Sequence, residues 1–249
     1  MTIIAAFCCR DGLLMCADRE ESGERGGTRA VDKLFYSNYG GDWPIVIGGA
    51  GESAIIDNCV QRLRGEFSGL VSGGAFGYQS ARNAIDHALL EVHQKYVWPS
   101  VGYEDHSFQL LIGMTHPSEE FLITTSGIVP SPSYTRSAIG LGADMALYFA
   151  DRMYNYTLTE PEIVRLGIFI LREVKSLIEG CGKGSDLWML RRNGTAYHYL
   201  TAEIESIEAA IPAFDAVVRG FGKNQLGLSG MGPKDVIGSG KSSKPKKKH

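Results

Sequence analysis

The segment TIIAAFCCRDGLLMCAD, residues 2–18, decides the fold. Two runs of β-branched and other apolar residues, 2–8 and 12–18, flank Arg10-Asp11-Gly12. Asp-Gly between such runs is a strong short-range hairpin signal, so the chain is expected to open with paired strands.

Beyond this hairpin a polar, glycine-rich loop is expected at 20–29, then short strands at 33–37 and 45–49. The latter runs into Gly48-Gly49-Ala50-Gly51 before Glu52 opens a helical pattern. Helical spacing recurs in Ile55, Ile56, Cys59, Val60 and Leu63, and again in Ala81, Ile85, Ala88, Leu89, Val92 and Tyr96, with residues 65–77 separating the two. A second pair of strands is expected at 107–115 and 121–126, then a Pro/Ser loop at 129–135, the glycine turn Gly140-Leu141-Gly142 and a second helix pair. The later helix of that pair starts at Thr159-Glu160-Pro161-Glu162, a capping box with Pro in the first turn, and turns Ile163, Leu166, Ile170 and Val174 inward. Strands at 186–191 and 196–200 flank Asn193-Gly194, another hairpin signal, and one further helix is expected near 203–219. This order predicts an α+β fold, a four-layer αββα sandwich with two antiparallel sheets between helix layers.

Composition bounds the function. The 249 residues suit one large domain, expected over 1–229, followed by a Lys/Ser/Gly-rich tail, 230–249, whose composition predicts disorder. The tail holds six Lys and one Asp, which leaves about −8 on the rest of a chain whose net charge is −3. An acidic body without a clustered basic face argues against nucleic acid as a partner. Five cysteines, an odd number set mostly in apolar runs, read as reduced buried thiols and point to a cytoplasmic location. No apolar run reaches the roughly 20 residues that span a bilayer, so no membrane partner is expected. The run GCGKGS from Gly180 lacks P-loop spacing, and His87 and His93 are six apart, off the helical i,i+4 face, so neither a metal nor a cofactor is expected.

Thr2 follows the initiator Met, which an aminopeptidase generally removes ahead of so small a residue. A terminal threonine joins a hydroxyl nucleophile to an α-amine of pKa about 7.7–8.0, so the amine can act as its own general base. Alone, a second-position Thr is a common small residue, Asp18 reads as a turn carboxylate and Lys33 as a solvated edge-strand charge.

Together, Thr2 to Phe7, Asp11 to Arg19, Ser22-Gly23, Val31-Asp32-Lys33-Leu34 and Ile47 to Gly51 resemble proteasome β-subunits of the bacterial 20S type, which are N-terminal-nucleophile hydrolases. The resemblance covers residues 2–200 and is densest in the first fifty. It implies Thr2 as nucleophile, with Asp18 sixteen residues later and Lys33 opening the third strand as its catalytic partners. It also implies Gly49 as the oxyanion donor, Ser22 as a backbone contact to an extended peptide and Ile47 as the floor of the pocket for the side chain before the cut. A threonine-type endopeptidase follows, acting on peptides or unfolded proteins inside a homo-oligomeric ring, with an ATP-dependent unfoldase as a candidate partner. Two departures stand out. The family's Gly-Ser-Gly turn reads Gly140-Leu141-Gly142, and the segment after the last long helix offers Glu179 or Ser185 where the family has an Asp and a Ser. A catalytically silent structural subunit and an amidase acting on a small molecule are the alternative readings.

Overall fold

The computed structural model describes residues 2–22, 27–40, 43–99, 107–117 and 119–211. The expected tail at 230–249 and the end of the helix expected near 203–219 lie outside the described residues.

The opening hairpin pairs β1 (Ile3–Cys9) with β2 (Gly12–Asp18) in register Cys9↔Gly12, so Arg10 and Asp11 form the two-residue connection. Gly12, at φ 151°, belongs to the strand, where a side chain would run into the Leu190 carbonyl. Every residue of both strands is buried: successive side chains point to opposite faces and both faces are covered, which is why the two runs do not alternate with polar residues. Ile4, Ala6, Cys8, Leu13, Met15 and Ala17 enter one core cluster with Val46, Leu111 and Leu122, which come from the second sheet. The alternate residues face helix α4 (Glu160–Leu177), where Gly167 admits Leu14 and Cys16.

Two five-stranded antiparallel sheets result. The first has the order β10-β1-β2-β11-β12, with β10 at Arg136–Gly140, β11 at Ser185–Arg191 and β12 at Ala196–Tyr199. The second has the order β5-β6-β7-β8-β9, with β5 at Leu34–Tyr39, β6 at Trp43–Gly51, β7 at Phe108–His116, β8 at Glu119–Ser126 and β9 at Val129–Ser133. The second sheet alternates likewise: Ile45, Ile47, Leu110, Ile112, Met114 and Ile123 pack with α1 (Ser53–Ser72) and α2 (Tyr78–Val92) in a separate cluster. Helix α3 (Ala143–Met153) precedes α4, and α5 (Thr201–Ala210) follows β12. The architecture is thus α+β with antiparallel sheets and helices packed on them.

Several expectations are corrected. The polar 20–29 segment contributes a short pair, β3 (Glu20–Ser22) with β4 (Thr28–Ala30). The Pro/Ser stretch is the edge strand β9: Pro130 and Pro132 stand two apart, so both missing N–H groups fall on the same side of the strand, where an edge has no neighbour to bond. Strand β10 was hidden because residues 136–140 carry little apolar alternation. Helix α1 continues through Gly65 and Gly69 to Ser72, where the buried Phe67 packs edge-on to Tyr39 and Phe76 and outweighs the glycine penalty. After α2 the chain makes a π-helical turn, His93–Val97, whose wider spacing shifts the face by one residue. Val97 is buried in consequence, and Tyr96, expected inward, is exposed.

At the start of α4 the Glu162 carboxylate accepts hydrogen bonds from the Thr159 N–H (2.8 Å) and hydroxyl (2.7 Å), as its sequence predicts. Glu160 is clasped by Arg191 through two bonds of 2.7 Å, which tie the helix to β11.

Candidate active site

Residue 2 lies at the threshold of β1, between the end of β2 on one side and the end of β10 on the other. Its peptide linkage to Ile3 is held from both directions. The Ile3 N–H donates to Asp18 Oδ1 (2.9 Å), and the Thr2 carbonyl accepts from the Gly142 N–H (3.3 Å).

Asp18 organises the site. Its side chain is 0% exposed, and Oδ1 also accepts from Lys33 Nζ at 2.8 Å. Oδ2 accepts from the Glu20 N–H and the Gly182 N–H, both at 3.1 Å. Four donors on one buried carboxylate satisfy the demand that a buried charge be paired and hydrogen-bonded. Lys33 is itself only 7% exposed, immediately before β5, so its ammonium group lies inside the fold and not on a solvated strand edge. Asp18 and Lys33 are thus joined directly, and Asp18 reaches the peptide between Thr2 and Ile3 through the Ile3 N–H.

The other expected residues are placed as follows. Gly49 lies in β6 opposite Leu110, and a side chain there would collide with Ile56 of α1; the glycine is therefore required by helix packing. Gly48 faces the other way, towards Ile4 and Leu34. Ile47 is 2% exposed and belongs to the core cluster shared with α1 and α2. Ser22 pairs through its backbone with Thr28 in the β3–β4 ribbon, which follows Asp18 in the chain.

Sequence reasoning missed the donors that come from distant loops. Gly142 and Gly182 contribute backbone N–H groups, which carry no side-chain signature. Gly140, at φ 85°, packs against the Thr2 carbonyl so closely that a side chain would strike it, and its N–H donates to Gln109 Oε1 (3.1 Å). Ser185, one of the two residues left open after α4, stands opposite Asp18 in the β2–β11 register, is buried, and accepts from Lys175 Nζ (2.9 Å). Cys181 is buried beside the site; burial and the nearby Asp18 charge push its thiol up to about 11. One strand over, the buried Asp186 meets His198 Nε2 at 2.7 Å, and His198 stacks on Trp188, which stacks on Tyr36. Burial raises the Asp186 carboxyl above the ordinary carboxylate value, with the His198 bond acting in the opposite direction. Among the described residues no cluster of His, Cys, Asp and Glu could hold a metal ion, and no helix is long and apolar enough to cross a membrane.

No family model and no curated protein matches the chain. Solved structures do. A Gly-1 mutant of Anbu from Hyphomicrobium sp. strain MC1 superposes with a TM-score of 0.73 at 16% identity, covering 90% of this chain and 100% of that one. Anbu, described as an ancestral beta-subunit, from Yersinia bercovieri gives 0.70 at 14% identity, with 93% and 98% covered. A chain from the helical assembly of the Anbu complex of Pseudomonas aeruginosa gives 0.69 at 14% identity, with 95% and 100% covered. At such identities the likeness establishes the fold, the one these Anbu chains share, and leaves the chemistry to the residues.

Proposed function

We propose that this chain is a threonine-type endopeptidase of the N-terminal-nucleophile class, with Thr2 as nucleophile once Met1 is removed. The observation that carries the reading is the buried Asp18 carboxylate, shared by Lys33 Nζ at 2.8 Å and by the N–H of the residue that follows Thr2 at 2.9 Å. It sets a cation inside the fold beside the start of β1, where an alkoxide at Thr2 would be stabilised.

The Thr2 α-amine takes the Oγ proton as Oγ attacks the carbonyl carbon of the substrate amide. The carbonyl electron pair moves to oxygen, which the Gly49 N–H stabilises, and collapse expels the amine with the proton now held on the α-ammonium. Water deprotonated by the α-amine then cleaves the acyl ester, releasing the acid and restoring Thr2. Lys33 lowers the cost of charge on Oγ, and Asp18 holds Lys33 in place. The backbone of Ser22 pairs with an extended peptide, and Ile47 lies under the side chain that precedes the cut.

The same reading extends to the assembly: the described residues form a helix–sheet–sheet–helix sandwich of bacterial 20S type, in the cytoplasm. Copies associate into rings that keep folded proteins from the groove, with an ATP-dependent unfoldase feeding them unfolded chains. The Pseudomonas aeruginosa relative, described as a helical assembly, favours self-association.

The test is the intact mass of purified protein before and after a peptide epoxyketone, which captures both the hydroxyl and the amine of a terminal threonine. Loss of Met1 and a single adduct, absent in Thr2→Ala, is the expected result. Leu141 in the Gly140–Gly142 turn, where active relatives in the resembled family carry a hydroxyl, favours one second reading, a silent structural subunit. Retained Met1 with no adduct would select it.

A further inference from the structure

We infer that Leu141 selects an apolar residue on the leaving-group side of the scissile bond, directly after the cut. The inference rests on the proposed peptidase reading and adds a specificity determinant to it. Three observations converge on this turn. Gly140 packs against the Thr2 carbonyl, and Gly142 donates its N–H to that same oxygen at 3.3 Å, so Leu141 sits at the apex of a turn anchored on the nucleophilic residue at both ends. The turn is braced from the other sheet by Gln109 Oε1, which accepts from the Gly140 N–H at 3.1 Å. Leu141 itself is 58% exposed, an apolar side chain held in water by a fixed backbone at the candidate active site.

Sheet order gives the direction. Thr2 enters β1, whose neighbours are β10 on one side and β2 on the other. Asp18 ends β2 and the chain continues into Glu20–Ser22; with Ser22 contacting the acyl half of a peptide, as the proposed function has it, that wall belongs to the β2 side. The half that leaves as the amine must pass on the β10 side, across Leu141. A side chain there that buries against Leu141 in the transition state raises kcat/KM, while a charged one strands its charge against an apolar surface.

The experiment compares two peptides with one acyl half and either Leu or Glu after the cut, using the full chain with cleavage read by mass spectrometry. Wild type is expected to favour Leu by about tenfold in kcat/KM, within the range that one apolar pocket contact supplies. In Leu141→Ser the ratio should fall to near one, and in Leu141→Lys it should invert in favour of Glu. Equal losses on both peptides, or an unchanged ratio, in protein that still forms the epoxyketone adduct at Thr2 would overturn the inference and leave the peptidase reading standing. Wild-type protein that forms no adduct would overturn both.

Discussion

A carboxylate with no exposure to water survives as an anion only where donors surround it, and the four donors on Asp18 are unequal in what their loss leaves behind. Lys33→Met removes the ammonium but leaves the carboxylate bonded by the Ile3, Glu20 and Gly182 N–H groups. Asp18→Asn offers one acceptor oxygen and an amide that donates, so it removes the counter-charge of the buried lysine and turns a donor towards donors on one side of the group; breaking a buried pair in this way costs roughly 3–5 kcal/mol. Urea midpoints should therefore rank wild type above Lys33→Met above Asp18→Asn, and an inverted order would mean that the ammonium, not the backbone, holds the carboxylate. Asp186 supplies a pH dependence. Its folded pKa is raised from 3.8 by burial, so the native state keeps that proton to higher pH than the unfolded chain does. Its contribution to stability is full below the unfolded value, falls as pH rises through the folded value, and is level above. Asp186→Asn, which can still accept from His198, should gain on wild type as pH rises from 3 to 7 in urea titrations. A loss over that range would show the His198 bond outweighing burial.

At the scale of elements, Gly49 separates packing from chemistry. A Cβ there collides with Ile56, whose helix α1 covers this face of β6, so Gly49→Ala should cost about 1–3 kcal/mol by overpacking while leaving the N–H in place. Adding Ile56→Val should recover most of that loss in thermal melts; no recovery would locate the strain in the backbone instead. The same element shows what the sequence could reveal. The Ile45–Gly49 strand, the opening hairpin and the capped α4 were legible because their side chains repeat with period 2 or 3.6 or bond their own neighbours. Strand β9 was not, since Pro130 and Pro132 read as breakers until an edge position makes their missing N–H groups harmless. The phase shift at His93–Val97 was not, because a π turn has no residue signature. In the site, Asp18 and Lys33 were legible only through the resemblance carried by the first fifty residues; taken alone they read as a turn carboxylate and a solvated edge-strand charge. Gly142 and Gly182 were not, because they act through backbone N–H groups more than 130 residues from their partners, on turns that only the closed sheets bring together.

The molecule as a whole buries its thiols: Cys8, Cys9, Cys16, Cys59 and Cys181 lie in β1, β2, α1 and the turn after α4, all inside the fold. Desolvation pushes Cys16 and Cys59 up to about 12 and Cys181 to about 11. The thiolate is the species that alkylates, so burial both holds these thiols in the unreactive protonated form and blocks access to them. If the two sheets and their helices open as one cooperative unit, native protein should resist iodoacetamide, and all five cysteines should become modified along the urea transition that circular dichroism follows. The alternative is specific. Cys181 immediately precedes Gly182, whose N–H is one of the two donors to Asp18 Oδ2, so labelling of Cys181 alone below the transition would mean that this clasp opens while the sheets stay closed. In that case the carboxylate beneath Thr2 would lose a donor each time the turn opened, and the candidate active site would be the least stable part of the fold. Peptide mapping of the alkylated protein across the transition decides between the two.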